Sequence, residues 1–169
     1  MTWSLFTLSV IAGLMLAEMR LSASNVRALL ERGAYAPAEP QYPAMAILYP
    51  LSFVAMSAEG VWRGAGASPW FASGLLLFVA AKALKYWAIG ALGERWTFRV
   101  LVLPATPLVG HGPYRYVAHP NYVAVVGELA GAALMMRAVW TGPVAVSVFG
   151  FVLWRRIRFE ERAIRGGIR

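Results

Sequence analysis

The sequence predicts an all-α integral membrane protein with five membrane-spanning helices. Of the 169 residues, 59% are hydrophobic and 13% are aromatic, which exceeds the apolar share of about half that is usual in soluble domains. Only 14% are charged. Five stretches approach the length of about 20 mostly apolar residues that a helix needs to cross the bilayer core. At this length one domain, residues 1–169, is expected.

The composition also excludes a nucleic-acid partner and a metal site with cysteine ligands. The net charge is +8, yet the basic residues are scattered between apolar runs and form no polar, basic domain of the kind that binds nucleic acid. They are suited instead to the anionic headgroups of membrane lipids. The chain has no cysteine, which excludes thiolate ligands for a metal.

The first span is expected at residues 2–19, an apolar stretch without the basic start and the small-residue cleavage site of a signal peptide. A polar segment follows at residues 20–39. Ser24 and Asn25 are residue types that cap helices, so this segment is expected to form a short, separate surface helix.

The second span is expected at residues 42–62, and the third at residues 69–92, with Ser68 immediately before it. Lys82 and Lys85 lie within the third span. Because the stem of a lysine is long and apolar, we expect both ammonium groups to reach toward the membrane surface.

The fourth and fifth spans are expected at residues 121–136 and 140–157, joined by a tight turn. So short a connection makes them an antiparallel hairpin, and the loop before the fourth span and the tail after the fifth emerge on the same side. Glu128 lies inside the fourth span, where an unpaired charge is costly. We expect it to face the bundle interior, either in an ion pair with Arg99 or a tail arginine, or with a direct part in function.

The basic residues favour five spans with the N-terminus outside. Cytoplasmic loops of membrane proteins carry an excess of lysine and arginine. In this arrangement only Arg63 and Arg137 face outward. The basic residues on the cytoplasmic side are Arg20, Arg27, Arg32, Lys85, Arg95, Arg99, Arg115, Arg155, Arg156, Arg158, Arg162, Arg165 and Arg169.

The polar loop before the fourth span is the first candidate site. It contains Gly-His-Gly-Pro-Tyr-Arg-Tyr-Val-Ala-His-Pro-Asn-Tyr at residues 110–122. Glycines let backbone N–H groups approach a ligand closely, and the helix that begins at Pro120 offers a positive end to an anionic group. An ordinary turn is the alternative interpretation. Both histidines, His111 and His119, lie here, but no third ligand has a recognisable spacing, so no metal is expected.

The tail is the second candidate site. Residues 154–162, Trp-Arg-Arg-Ile-Arg-Phe-Glu-Glu-Arg, continue the fifth span as a helix into the interface. The arginines are typical of a headgroup anchor. The adjacent carboxylates of Glu160 and Glu161 are suited instead to a cation, such as a sulfonium, an ammonium or an arginine. The predicted hairpin brings this tail beside the loop.

Together these two motifs resemble the isoprenylcysteine carboxyl methyltransferase and phospholipid methyltransferase superfamily. The resemblance covers residues 92–164, the expected catalytic half of the domain. Residues 92–104 are similar to bacterial members associated with methylating alkylpyrones or alkylresorcinols. The sequence departs from most relatives at Ala118, where they carry arginine, and in ending at Arg169 without an aromatic C-terminal segment.

The resemblance implies an O-methyltransferase that uses S-adenosylmethionine, releases S-adenosylhomocysteine and has its active site on the cytoplasmic face. Its acceptor, drawn from the bilayer, is a lipophilic or prenylated molecule with an isoprenylcysteine-type carboxylate or an alkyl-phenol or pyrone hydroxyl. A phospholipid amine N-methyltransferase and a non-methylating membrane scaffold are the alternatives.

The same resemblance implies roles for particular residues. Arg156, Arg158 and His119 are the expected catalytic residues, and Arg156 and Glu128 are the expected contacts of the acceptor. Aromatic faces, among them Trp96 and Tyr116, are suited to a cationic ligand. The expected cofactor-binding residues are Gly110, His111, Gly112, Pro113, Tyr114, His119, Pro120, Tyr122, Glu160 and Glu161.

Overall fold

The computed structural model describes residues 2–64, 69–104 and 106–167, and its helices pack as one bundle. These helices are α1 (Thr2–Glu31), α2 (Tyr42–Trp62), α3 (Pro69–Leu92), α4 (Pro120–Met136) and α5 (Thr141–Gly167). Within the described ranges, strand-like pairing is limited to one isolated bridge between Tyr35 and Val102. The predicted all-α class is confirmed. Ser68 and Arg169, which figured in the sequence predictions, lie outside the described residues, as does the side chain of Arg165.

Three helical stretches are long and apolar enough to cross a membrane, namely Trp3–Glu31, Tyr42–Trp62 and Pro69–Arg95. α4 is apolar but shorter, with 17 residues. The first 18 residues of α5 already include three arginines. The structure therefore has the helices of a membrane protein, while a count of five spans stays a prediction.

The prediction for the first helix is wrong in one respect. α1 continues to Glu31 without a break, although a separate surface helix was expected after residue 19. The expected capping residue Asn25 is buried within α1, and its amide donates to the carbonyl of Trp96 at 2.8 Å. Ser22 accepts a hydrogen bond from the backbone of Phe98 at 2.8 Å. These polar side chains hold the loop after α3 and do not end the helix.

The helices share two ends. The loops before α2 and before α4 and the tail of α5 gather at one end, which we call the loop end. At the opposite end, the Glu59 carboxylate accepts hydrogen bonds from the backbone N–H groups of Trp140 and Thr141, at 3.0 and 2.8 Å. A carboxylate at this position satisfies the free N–H groups at the start of α5. The hairpin of α4 and α5 thus brings the tail and the loop together, as predicted.

Small residues let α3 and α4 approach closely. A Cβ atom built on Gly131 of α4 would lie 2.8 Å from the carbonyl oxygen of Gly74 and 2.8 Å from the backbone nitrogen of Phe78. A Cβ atom on Gly127 would lie 2.9 Å from Cβ of Ala81. Gly127 and Gly131 form the GxxxG spacing that is typical of close helix contacts in membranes.

Four buried charges join α1, α3 and α4. Glu18 accepts from Lys82 at 2.6 Å and from Lys85 at 2.8 Å, and Glu128 lies 3.3 Å from Lys82 and 3.1 Å from Lys85. Tyr49 of α2 donates its hydroxyl to Glu128. We call Glu18, Lys82, Lys85 and Glu128 the charge ring.

The charge ring corrects two predictions. Lys82 and Lys85 do not reach toward the membrane surface, since their side chains are only 8% and 2% exposed. Glu128 does face the interior, as predicted, but it pairs with these lysines and not with Arg99 or a tail arginine. Two carboxylates and two ammonium groups leave the ring neutral, which lowers the cost of burying them.

Candidate functional site

The loop before α4 is fixed to α3 by a turn that requires glycine. Gly112 has φ of +61°, a conformation that side chains disfavour. A Cβ atom there would lie 2.8 Å from Cβ of Ala91 and 3.4 Å from Nε1 of Trp87. The next residue, Pro113, is buried and lies in the first turn of the short 3-10 helix Gly112–Arg115. The turn therefore packs against the end of α3, and the following residues are directed toward α4.

α4 begins with its polar residues at the loop end. His119 is the N-cap, and its carbonyl accepts from the N–H groups of Tyr122 and Val123, at 3.1 and 3.3 Å. Pro120 stands at the first helical position, which suits its fixed φ and missing N–H. The side chain of Asn121 accepts from Nε1 of Trp96 at 3.3 Å. The start of the helix is thereby held against the loop after α3.

His119 lies between the two carboxylates of the tail. Its Nδ1 is 4.0 Å from Glu160 Oε2, and its Nε2 is 3.5 Å from Glu161 Oε1. The Tyr122 hydroxyl donates to Glu160 at 2.5 Å. The rings of His119 and Tyr122 are stacked, with centroids 5.4 Å apart. We call His119, Tyr122, Glu160 and Glu161 the His119 cluster.

The His119 cluster is polar and partly open to solvent. The exposed fractions of the side chains of His119, Glu160 and Glu161 are 22%, 27% and 48%. Burial, together with the charge of the nearby Glu160 carboxylate, raises the pKa of Tyr114 to about 12. Tyr114 is therefore neutral at physiological pH and keeps its hydroxyl proton. The result is an aromatic, acidic surface at the start of α4.

Arg156 lies beneath this surface with partners of its own. Its Nε is 3.2 Å from Glu39 Oε1, and its guanidinium also contacts the carbonyl of Phe98 and the sulfur of Met45. The guanidinium carbon is 5.8 Å from the ring centroid of Tyr122. Arg156 thus connects the His119 cluster to the chain before α2.

Other predicted site residues lie outside the cluster. Gly110 and His111 are exposed. Arg158 is also exposed and stacks on Trp154, with its guanidinium carbon 4.5 Å from the ring centroid. Glu128 belongs to the charge ring. Trp96 is only 2% exposed, so its face is not open to a ligand.

Glu39 is the residue that the sequence interpretation missed. It lies in the polar segment before α2, its side chain is 5% exposed, and its other oxygen accepts from the N–H of Val100 at 3.0 Å. A lone glutamate followed by Pro40 in a loop carries no periodic or spacing signal. Only the packing of three distant segments shows that it is buried beside Arg156.

Comparison with known proteins bears on the whole chain. Residues 74–165 match the isoprenylcysteine carboxyl methyltransferase (ICMT) family. The chain is 31% identical over 150 residues to the uncharacterized protein YpbQ of Bacillus subtilis (strain 168), covering 88% of this chain and 89% of YpbQ. It is 29% identical over 104 residues to a probable protein-S-isoprenylcysteine O-methyltransferase of Oryza sativa subsp. indica, covering 57% of this chain and 52% of the rice protein. No solved structure gives a significant match.

Long apolar helices with a polar cluster at one end are typical of a helical membrane protein, and the polar cluster is its candidate site. The family match spans more than half of the chain and includes both α4 and the tail. The chain belongs to the isoprenylcysteine carboxyl methyltransferase family, and it is a methyltransferase. The alternative of a non-methylating scaffold is therefore wrong.

Proposed function

We propose that the protein transfers a methyl group from S-adenosylmethionine to an oxygen of a lipophilic acceptor. The observation that carries this proposal is the His119 cluster, in which two carboxylates of the tail meet the start of α4. The family supports methyl transfer, and the rice relative is named for O-methylation. We propose that the reaction takes place beside this cluster.

The residues of the cluster fit a cationic methyl donor. S-adenosylmethionine supplies a methyl group activated by a positive sulfur, and it also carries an ammonium group. Glu160 and Glu161 offer charge-assisted hydrogen bonds to such cations, and the stacked rings of His119 and Tyr122 offer aromatic faces. The adjacent turn of residues 110–114 offers backbone N–H groups and the neutral hydroxyl of Tyr114.

We expect the binding site for the methyl acceptor to lie beside Arg156 and Glu39. We propose that Arg156 acts there with its charge balanced by Glu39, and that Arg158 contacts lipid headgroups from the exposed face of α5. A phosphate-binding site for a phospholipid amine needs a cluster of free cations, and the pairing of Arg156 with Glu39 disfavours such a cluster.

We propose that Glu128 acts through the charge ring, which holds α4, and not through contact with the acceptor.

We also propose that all five helices cross the membrane, with the loop end in the cytoplasm. The 17 residues of α4 extend about 26 Å as a helix, close to the hydrocarbon thickness of about 30 Å. The chain has no cysteine, so single cysteines at Glu94, Arg137 and Arg162 report the side of each turn. A membrane-impermeant maleimide should label intact cells only at Arg137→Cys. Equal labelling of all three would show that α4 and α5 do not cross.

Calorimetric titration with S-adenosylmethionine in detergent tests the cofactor site. We expect the wild-type protein to bind, and we expect His119→Ala and Glu161→Gln each to weaken binding about 10-fold or more, since each removes a charge-assisted or stacking contact. Glu94→Gln is the matched control, because it removes an exposed carboxylate that pairs with Arg32 at 2.9 Å. Absence of binding to well-folded wild-type protein would refute the proposed function.

A further inference from the structure

An apolar groove lies at the end of the bundle opposite the loop end, between the start of α3, the end of α4 and the start of α5. It has a volume of about 560 Å³, within the range of about 300–1,000 Å³ that is usual for small-molecule sites. Two of its lining residues mark a close contact of α4 with α5, since a Cβ atom on Gly142 would lie 2.6 Å from Cβ of Ala133. Trp70 and Val139 also line it and are 60% and 53% exposed, so the groove is open at the protein surface.

Arg137 is the one charged side chain among the described residues that line this groove. It follows the last residue of α4 and has φ of +54°, a conformation in which a helix more often ends on glycine. The side chain is exposed, and its guanidinium has no hydrogen-bond or ion-pair partner among the side chains that the structure describes. A positive charge at the end of a helix is favourable to the helix dipole, but that effect needs no apolar groove beside it. A free cation together with an apolar groove is suited to an anionic amphiphile.

We propose that this groove binds an anionic phospholipid, with an acyl chain in the groove and the phosphate on the guanidinium of Arg137. The other lining residues are apolar, among them Leu134 and Val146, and a hydrocarbon chain packs against such a surface without burying an unpaired polar group. Arginine is suited to phosphate because two of its N–H groups can form parallel charge-assisted hydrogen bonds. The full length of α4, about 26 Å, separates this site from the His119 cluster, so the lipid is not the methyl acceptor.

The charges at this end of the bundle argue against a second copy of the chain as the occupant. A copy inserted in the same orientation would need a free carboxylate at this end to pair with Arg137. Of the eight acidic residues of the chain, Glu59 is the one at this end, and it already accepts from the backbone of Trp140 and Thr141 at 3.0 and 2.8 Å. A free phosphate ion would leave the apolar part of the groove unfilled. An anionic lipid supplies both the negative charge and the hydrocarbon.

A lipid bound in this groove would hold the ends of three helices together. Trp70 lies in the first turn of α3, Leu134 in the last turn of α4 and Val146 in the second turn of α5. A ligand that binds only the folded protein raises its unfolding midpoint. Phosphatidylglycerol should therefore raise the midpoint of the wild-type protein in detergent more than it raises the midpoint of a variant without the charge of Arg137.

Photocrosslinking with a phosphatidylglycerol that carries a diazirine on its acyl chain tests the site directly. We expect the wild-type protein in detergent to be labelled between residues 130 and 146, as mapped by mass spectrometry. Unlabelled phosphatidylglycerol should suppress this label at a concentration about 5-fold lower than phosphatidylcholine with the same acyl chains, since one arginine near the headgroup favours an anionic lipid by about this factor. Equal competition by the two lipids, or no label between residues 130 and 146, would overturn the proposal.

Variants of Arg137 separate its charge from its position at the end of α4. Arg137→Asn removes the charge but keeps a residue type that tolerates the left-handed conformation, and it should make the two lipids equal competitors. Arg137→Lys keeps the charge and should keep the preference. Arg63→Asn is the matched control, because Arg63 is exposed at the same end of the bundle, directly after α2, and does not line the groove. A preference that survives in Arg137→Asn would contradict the proposal, since it would reflect only the net charge of +8.

A second pair of variants tests the apolar part of the groove. Ala130 lines the groove and is partly exposed, so Ala130→Leu should occupy part of its volume and lower the labelling several-fold. Ala83→Leu, at an exposed position of α3 outside the groove, should leave the labelling unchanged. Equal labelling of the two variants would show that the acyl chain does not lie in the groove. None of these changes should alter the binding of S-adenosylmethionine, so failure of this inference would leave the proposed function standing.

Discussion

Two glycines of the candidate site differ in what their backbone requires. Gly112 has φ of +61°, and a Cβ atom on it would meet Ala91 and Trp87 of α3. Gly110 has no positive φ, and a Cβ atom on it would meet nothing within 4 Å. The motif Gly-His-Gly therefore contains one glycine that the fold needs and one that the fold does not require.

Gly112→Ala is expected to destabilise the turn, while Gly110→Ala is not. The left-handed conformation alone costs an alanine about 1–2 kcal/mol, and the overlap with Ala91 adds to this cost. Thermal unfolding in detergent should show a lower midpoint for Gly112→Ala and an unchanged midpoint for Gly110→Ala. Equal midpoints for the two variants would show that the turn does not depend on packing against α3.

At the scale of the element, α3 and α4 approach each other closely at their glycines. Backbone atoms of Gly74 and Phe78 would meet a Cβ atom on Gly131 at 2.8 Å. Backbone cannot move aside as a flexible side chain can, so the two helices must separate to admit even a methyl group. Since α4 carries Tyr122 and begins directly after His119, separation of α3 from α4 would also shift this half of the candidate site.

Gly131→Ala should therefore lower the stability of the protein, whereas an ordinary glycine-to-alanine change in a helix raises it. Alanine raises helix propensity by about 1 kcal/mol over glycine, whereas overpacking costs about 1–3 kcal/mol. Gly150→Ala on α5 is the matched control, because a Cβ atom there would meet nothing within 4 Å. Unfolding in detergent should show Gly131→Ala destabilised and Gly150→Ala unchanged or more stable. The reverse order would contradict the close approach.

The sequence predicted those parts of the fold that local chemistry controls. The ends of the second and third helices were predicted at the residues where α2 and α3 begin and end, because proline, glycine and the change from apolar to polar residues act locally. The end of α1 was not, since Asn25 and Ser22 bind carbonyl and N–H groups far along the chain. A residue of a capping type indicates where a helix can end, but its side chain can instead form a hydrogen bond with a distant part of the chain.

The same distinction applies to the candidate site. His119 and the tail carboxylates were expected together because a short hairpin joins their helices, and the structure brings them within 3.5–4.0 Å. Glu39 was missed because it is joined to Arg156 only through packing. The lysine partners of Glu128 were missed for the same reason, although all the charges were visible in the sequence.

At the scale of the whole molecule, the charge ring and Tyr49 together connect four helices. Glu18 lies on α1, the two lysines on α3 and Glu128 on α4, with Tyr49 of α2 donating to Glu128. Burying such charges is expensive in protein or lipid, and each is tolerated only because an opposite charge lies against it. The ring therefore ties the stability of the bundle to the balance of its charges more than to any one contact.

Removal of one charge from the ring should consequently lower the stability of the protein more than removal of two opposite charges. Glu18→Gln leaves two ammonium groups against one carboxylate, and breaking a buried pair in this way costs about 3–5 kcal/mol. Glu18→Gln combined with Lys82→Met restores neutrality and should recover most of that loss, while Glu94→Gln, at an exposed pair, should cost less than about 1 kcal/mol. Unfolding midpoints in detergent provide the measurement. If the double variant is no more stable than Glu18→Gln alone, hydrogen bonds made by Glu18, and not the balance of charge, hold the four helices together. If the double variant recovers stability, the charges of the ring act as one electrostatic unit beneath the candidate site.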